Sequence, residues 1–92
     1  MPIRQVTVTD AVTRIASYDE RRVTLTIAND AGSKIYLSQN RINILSEGFP
    51  LDVGEKISFS RERGDEPELE LNAQAPAGLS ADVRIYEAFA RE

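Results

Sequence analysis

Apolar residues recur at every second position in several short stretches of this chain, and polar turn formers separate the stretches. The clearest is Arg22-Val23-Thr24-Leu25-Thr26-Ile27-Ala28, where Val23, Leu25 and Ile27 share one face and Thr24 and Thr26 the other, as in a half-buried strand. Asn29-Asp30-Ala31-Gly32-Ser33 then reads as a hairpin loop, and Lys34-Ile35-Tyr36-Leu37-Ser38 as the returning strand. Its consecutive apolar residues predict a strand near the middle of a sheet or covered by a neighbour. Gln39-Asn40-Arg41 turns the chain, and Ile42 and Ile44 stand two apart. In Gly48-Phe49-Pro50-Leu51-Asp52-Val53-Gly54 the two glycines can take positive φ and Pro50 fixes its own, which specifies a reversal, and the stretch feeds a strand with Ile57 and Phe59 on one face.

Residues 60–67 form a charged loop; beyond it Leu69, Leu71 and Ala73 alternate with Glu68, Glu70 and Asn72. The last strand sets Val83 and Ile85 against Arg84 and Tyr86. At the other end, Ile3, Val6, Val8, Val12 and Ile15, interspersed with threonines, predict an extended arm or first strand followed by a second short one, although the spacing Val8, Val12, Ile15 also suits a helical turn. The pattern as a whole predicts an all-β fold: a single-domain antiparallel β-sandwich or jelly-roll-like barrel of about seven or eight short strands, with an extended N-terminal arm and no helix. The chain of 92 residues suits one domain, 1–92, with the arm or first strands in 1–15 and the sandwich core in 21–89.

Composition narrows the chemistry. Lys+Arg 11 against Asp+Glu 15 gives a net charge of −4, which argues against gripping nucleic acid. Histidine and cysteine are both absent, which removes the usual general base, the Ser-His-Asp triad, thiol nucleophiles and the common transition-metal ligands. No apolar run reaches the roughly 20 residues that span a bilayer, and Met1-Pro2-Ile3-Arg4-Gln5 has no hydrophobic signal core. The expectation is a chain that stays in the cytoplasm, or is assembled there into something larger, with no membrane partner.

The remaining candidates have plain structural readings. Glu62, Asp65, Glu66, Glu68 and Glu70 lack the spacing of a calcium loop and have Arg61 and Arg63 beside them, so they read as a solvated hairpin tip. Gly48 and Gly54 open no phosphate-binding helix. Arg21 and Arg22 read as surface charges at a strand entry. Tyr18, Tyr36 and Tyr86 would make a sugar-binding platform only if they converged, and Tyr36 fits a core or interface position better. No catalytic residue, cofactor or metal ligand is expected.

The order Arg22-Val23-x-Leu25-x-Ile27-x-Asn29, Ile35-Tyr36-Leu37-Ser38, Gly48-Phe49-Pro50-Leu51-x-x-Gly54-Glu55 and Asp82-Val83-Arg84-Ile85-Tyr86-Glu87 resembles small tailed-bacteriophage virion proteins over about Arg22 to Glu87. The chain departs from that pattern in its charged Arg61 to Glu68 segment and in the residues before Arg22. The resemblance implies a compact β-sandwich and a non-enzymatic structural protein of the virion, a decoration or cement protein that stabilises the head by protein–protein contacts. It implies a homotrimer bound to the major capsid protein or another virion protein; the alternative is a carbohydrate- or receptor-binding module of a tail or fibre. The interface is expected on Ile3, Val6, Val8 and Val12 of the arm, acting by strand addition, and on Phe49 and Leu51.

Overall fold

The computed structural model describes residues 3–90 and contains eight strands. They are β1 (Ile3–Val8), β2 (Thr13–Ala16), β3 (Arg22–Gly32), β4 (Ile35–Ser38), β5 (Phe49–Leu51), β6 (Lys56–Ser60), β7 (Leu71–Gln74) and β8 (Ala81–Phe89). A one-turn helix, α1 (Ile44–Glu47), precedes β5, and a 3-10 turn, Arg61–Arg63, follows β6. The strands form two antiparallel sheets, ordered β1-β8-β3-β6 and β2-β7-β4-β5. Strand one pairs with eight, two with seven, three with six and four with five: a long ribbon, folded back at the β4–β5 connection and wound on itself until β8 also meets β3 and β7 meets β4. That is jelly-roll wiring, two Greek keys closed face to face.

The core lies between the sheets and consists of the alternate residues that the pattern marked: Leu25 and Ile27, Ile35 and Leu37, Leu71 and Ala73, Val83 and Ile85. Ile15, Val8 and Leu51, with Ala16, Ala75 and Ala81, complete it. The N-terminal residues do not stand off as an arm. Ile3–Val8 pairs along its whole length with β8, and Val8 is fully buried, because the inward alternation that puts Val83 and Ile85 in the core continues through the neighbouring strand.

Four expectations are corrected. Asn29 to Gly32 is no hairpin loop; β3 runs on through it beside β8, with a bulge between Asn29 and Ala31, and the chain then crosses to the other sheet, so β3 and β4 never pair. The strand expected from Glu68 starts only at Leu71, and it lies inside its sheet between β2 and β4. Arg22 is not a surface charge but only 3% exposed. The register slips between Arg22 and Thr24, leaving Val23 as the extra residue of a bulge, which turns Arg22 to the side that Leu25 occupies. Gly48 is not at positive φ; it sits at −74°, and its lack of a side chain matters because a Cβ would come within 2.5 Å of the Ile44 carbonyl.

Buried Arg22 is fully partnered. Its Nε lies 3.0 Å from Glu87 Oε2, and its other nitrogens donate to the Pro67 and Ser17 carbonyls. Arg4 takes the second carboxylate oxygen of Glu87 at 2.8 Å and also donates to the Ile15 carbonyl. One carboxylate thus ties β1, β3 and β8, and the two guanidinium groups reach across to β2 and to the loops that flank the second sheet.

Candidate interaction site

β1 and β2 end the two sheets on one side, and on the opposite side β6 ends one sheet and β5 the other. A cleft of about 340 Å³ opens there. Leu37 and Leu71 form its floor, so it reaches the core; Ile57, Phe59 and Phe49 form its walls, with Glu47, Gln39 and Asn40 at the rim. Ile57 and Phe59 pack against the core and remain only partly covered, which is why a face read as buried proves to be half open. Phe49 is 55% exposed. The excursion between β4 and β5 adds exposed Ile42 and Leu45. Asn43, at φ 59°, takes the left-handed geometry that asparagine tolerates and starts α1, whose Ile44 alone is buried.

The predicted interface residues divide. Ile3 and Val12 are exposed and Val6 is half-buried, all on the β1/β2 side; Phe49 is exposed across the molecule at the cleft. Val8 and Leu51 are core residues, since Val8 follows the inward face of β1 and Leu51 sits opposite inward Ile35 on β4. The single interface expected from sequence is therefore two surfaces on opposite edges. Ile42, Leu45 and the Ile57/Phe59 wall were not marked as interface; the two-residue spacing of Ile42 and Ile44 concealed a single helical turn.

The tyrosines do not converge. Tyr36 alternates with buried Ile35 and Leu37 and so lies on the outer face of one sheet; Tyr86 alternates with buried Val83 and Ile85 on the outer face of the other; Tyr18 is exposed in the β2–β3 loop. A larger hollow of about 410 Å³ lies over Val23, Thr24, Ser60, Arg61 and Glu62, where the Arg61 guanidinium is already engaged with the Glu20 and Arg22 carbonyls. Among the described residues no group of three or more His, Cys, Asp or Glu could hold a metal ion. The acidic cluster is dispersed onto arginines: Asp65 meets Arg63, Glu68 meets Arg61, and Glu70 meets Arg41 and Arg14.

Glu70 is held below its ordinary range, by the Asn72 amide first and then by Arg41. A depressed carboxylate contributes stability above its unfolded pKa and loses it as pH falls through the folded value. Glu70→Gln is therefore expected to be slightly less stable than the native chain at pH 7, and the difference should vanish on acidification below the glutamate range, as urea unfolding at both pH values would show. An unchanged difference would mean that Glu70 acts through packing.

Compared with protein-family models, with curated proteins and with solved structures, the chain finds no match.

Proposed function

We propose that this chain is a non-enzymatic structural protein of a tailed-phage virion, a decoration or cement protein that binds the major capsid protein through the cleft between β5 and β6. The observation that carries the reading is the cleft itself: an apolar floor continuous with the core and an exposed Phe49 on its wall, with exposed Ile42 and Leu45 in the excursion that joins its lining residues Asn40 and Glu47. Apolar anchors around a desolvated pocket are where protein interfaces concentrate their binding energy. Jelly-roll wiring is used by viral capsid domains, as it is by lectins and cupins. The cupin use rests on metal-binding histidines, which this sequence lacks, and the lectin use has no aromatic platform here. The resemblance of the strand and turn motifs to virion proteins supports the same choice.

Partner side chains enter this cleft, and no partner strand is added there. Pro50 on β5 has no N–H to offer. On β6, Arg63 already bonds the Ser58 carbonyl, and Asp65 bonds both the N–H and the carbonyl of Ser60.

The test is co-sedimentation with heads of the cognate phage. The native chain is expected to pellet saturably at a fixed ratio to capsid subunits. Phe49→Glu, at a position too exposed to disturb the fold, should weaken binding about 30-fold or more, the loss typical of a hot-spot residue of at least 2 kcal/mol. Undiminished binding by the variant would remove the cleft from the interface, and no pelleting of the native chain would remove the reading.

A further inference from the structure

An edge strand presents outward N–H and C=O groups to any chain able to pair with them, and stable proteins block that offer by short strands, prolines, bulges or inward charges. Four strands here have an unpaired side: β1 and β6 in one sheet, β2 and β5 in the other. Three are blocked. β6 is capped by Arg63 and Asp65, and β5 is three residues long with Pro50 at its centre. β2 has four residues, a register break between Arg14 and Ala16, and the intervening Ile15 carbonyl occupied by Arg4.

β1 differs. It has six residues, contains no proline, and keeps an unbroken register with β8. In an antiparallel strand the N–H and C=O of one residue point to the same side and those of the next to the other. Ser58 and Ser60 turn theirs away from β3, so Phe59 and Ile57 bond Leu25 and Ile27; Thr26 and Ala28 then bond Tyr86 and Arg84 of β8, and Ile85 and Val83 bond Arg4 and Val6 of β1. Ile3, Gln5 and Thr7 are left with their backbone groups facing outward. The Thr9 carbonyl, next in the same series, does face away from β8: it accepts from the N–H of Ala75. Among the described residues no side chain or loop caps the three outward positions.

We infer that β1 is a self-association edge and that its occupant is the β1 strand of a second copy of this chain, antiparallel about a two-fold axis at Gln5. Ile3 then bonds Thr7 of the second copy and Gln5 bonds Gln5, joining two four-stranded sheets into one of eight. The charge pattern favours a second copy. In a chain with 28% charged residues, the outward side chains of β1 are all neutral, so self-pairing opposes no like charges on that face. The only charge on the strand, Arg4, meets Val6 in this register and is held by Glu87 beneath the sheet. A two-fold pairing consumes the one open edge and so closes at two copies, in place of the threefold assembly implied by the resemblance. A six-residue edge buries far less than a standard interface, which makes the dimer weak and concentration-dependent. The inference does not depend on head binding.

Sedimentation velocity of the full chain from about 10 µM to about 1 mM, the range that a small contact needs, is expected to show the mass rising from one chain to two. Gln5→Lys and Gln5→Glu should each stay monomeric, because Gln5 faces itself across the axis, and an equimolar mixture of the two should dimerise again. Gln5→Pro removes an outward N–H while sparing the bonds to β8, and should be monomeric with a melting temperature close to that of the native chain. A native chain that stays monomeric at the highest concentration, a trimer, or charged variants that dimerise unaided would overturn the inference.

Discussion

Glu87→Ala is expected to destabilise the domain by about 3–5 kcal/mol, the usual cost of removing one partner from a buried ion pair. The substitution leaves the Arg22 guanidinium, 3% exposed, with its charge uncompensated among core residues, and frees Arg4 from its anchor as well. Arg22 still keeps its bonds to Pro67 and Ser17, which hold it in place and prevent it from escaping to water. Arg4→Ala should cost only about 1 kcal/mol or less, since its side chain is 44% exposed and the Arg22–Glu87 bond survives. Urea unfolding of the three proteins measures both values. Equal losses for the two variants would mean that Arg4, and not Arg22, carries the network.

Gly32→Ala is the second large effect. Gly32 has φ +103°, and a Cβ there would lie 2.4 Å from the Ser80 carbonyl oxygen and 2.7 Å from the Ala81 Cα. Both obstacles are backbone atoms at the start of β8, the central partner of β1 and β3, so neither can yield without disturbing the sheet. Gly54→Ala is the control: φ is +87°, but nothing lies within 4 Å. The control should lose about 1–3 kcal/mol from backbone strain alone, and Gly32→Ala clearly more, or fail to fold. Equal losses would show that the close approach of Gly32 to β8 is relieved at no cost.

Both predictions rest on features that the hydrophobic pattern does not display, and the reason is the same in each case. Period two reports which face a residue takes only while the register holds. It holds from Leu25 to Ile27, along β4 and from Val83 to Ile85, and there the sequence alone places the core. It fails at Val23, where one extra residue turns Arg22 inward, and again at Asn29, where a bulge prolongs β3 through what has the composition of a turn. Asn29 is buried, its amide donating to the Ser33 and Leu51 carbonyls, so a turn-forming residue serves as a tie between the sheets. Asn72, read as outward, lies on a face that the β4–β5 excursion covers; its amide reaches the Gln39 carbonyl and Glu70. A single helical turn such as α1 is too short to establish a period of its own.

The interaction surfaces were legible in kind and not in place. Exposed Ile3, Val12 and Phe49 were marked from the sequence, but whether they adjoin depends on the winding of the ribbon, which sends β1 to one side of the sandwich and β5 to the other. Val8 and Leu51 are apolar strand residues like their neighbours, and only the register decides that they face inward. The cleft was hidden for a related reason: Ile57 and Phe59 have the alternation of a covered strand, and their partial exposure follows from the gap between two edges that the chain brings face to face.

The most direct test of the central claim is amide hydrogen exchange on the protein, alone and bound to heads of the cognate phage. Binding through the cleft predicts new protection on residues 38–40, 47–49 and 57–59, with the strand positions of β8 around Tyr86 and of β1 unchanged. Protection confined to β1 and β8, or none anywhere when heads are added, would contradict it.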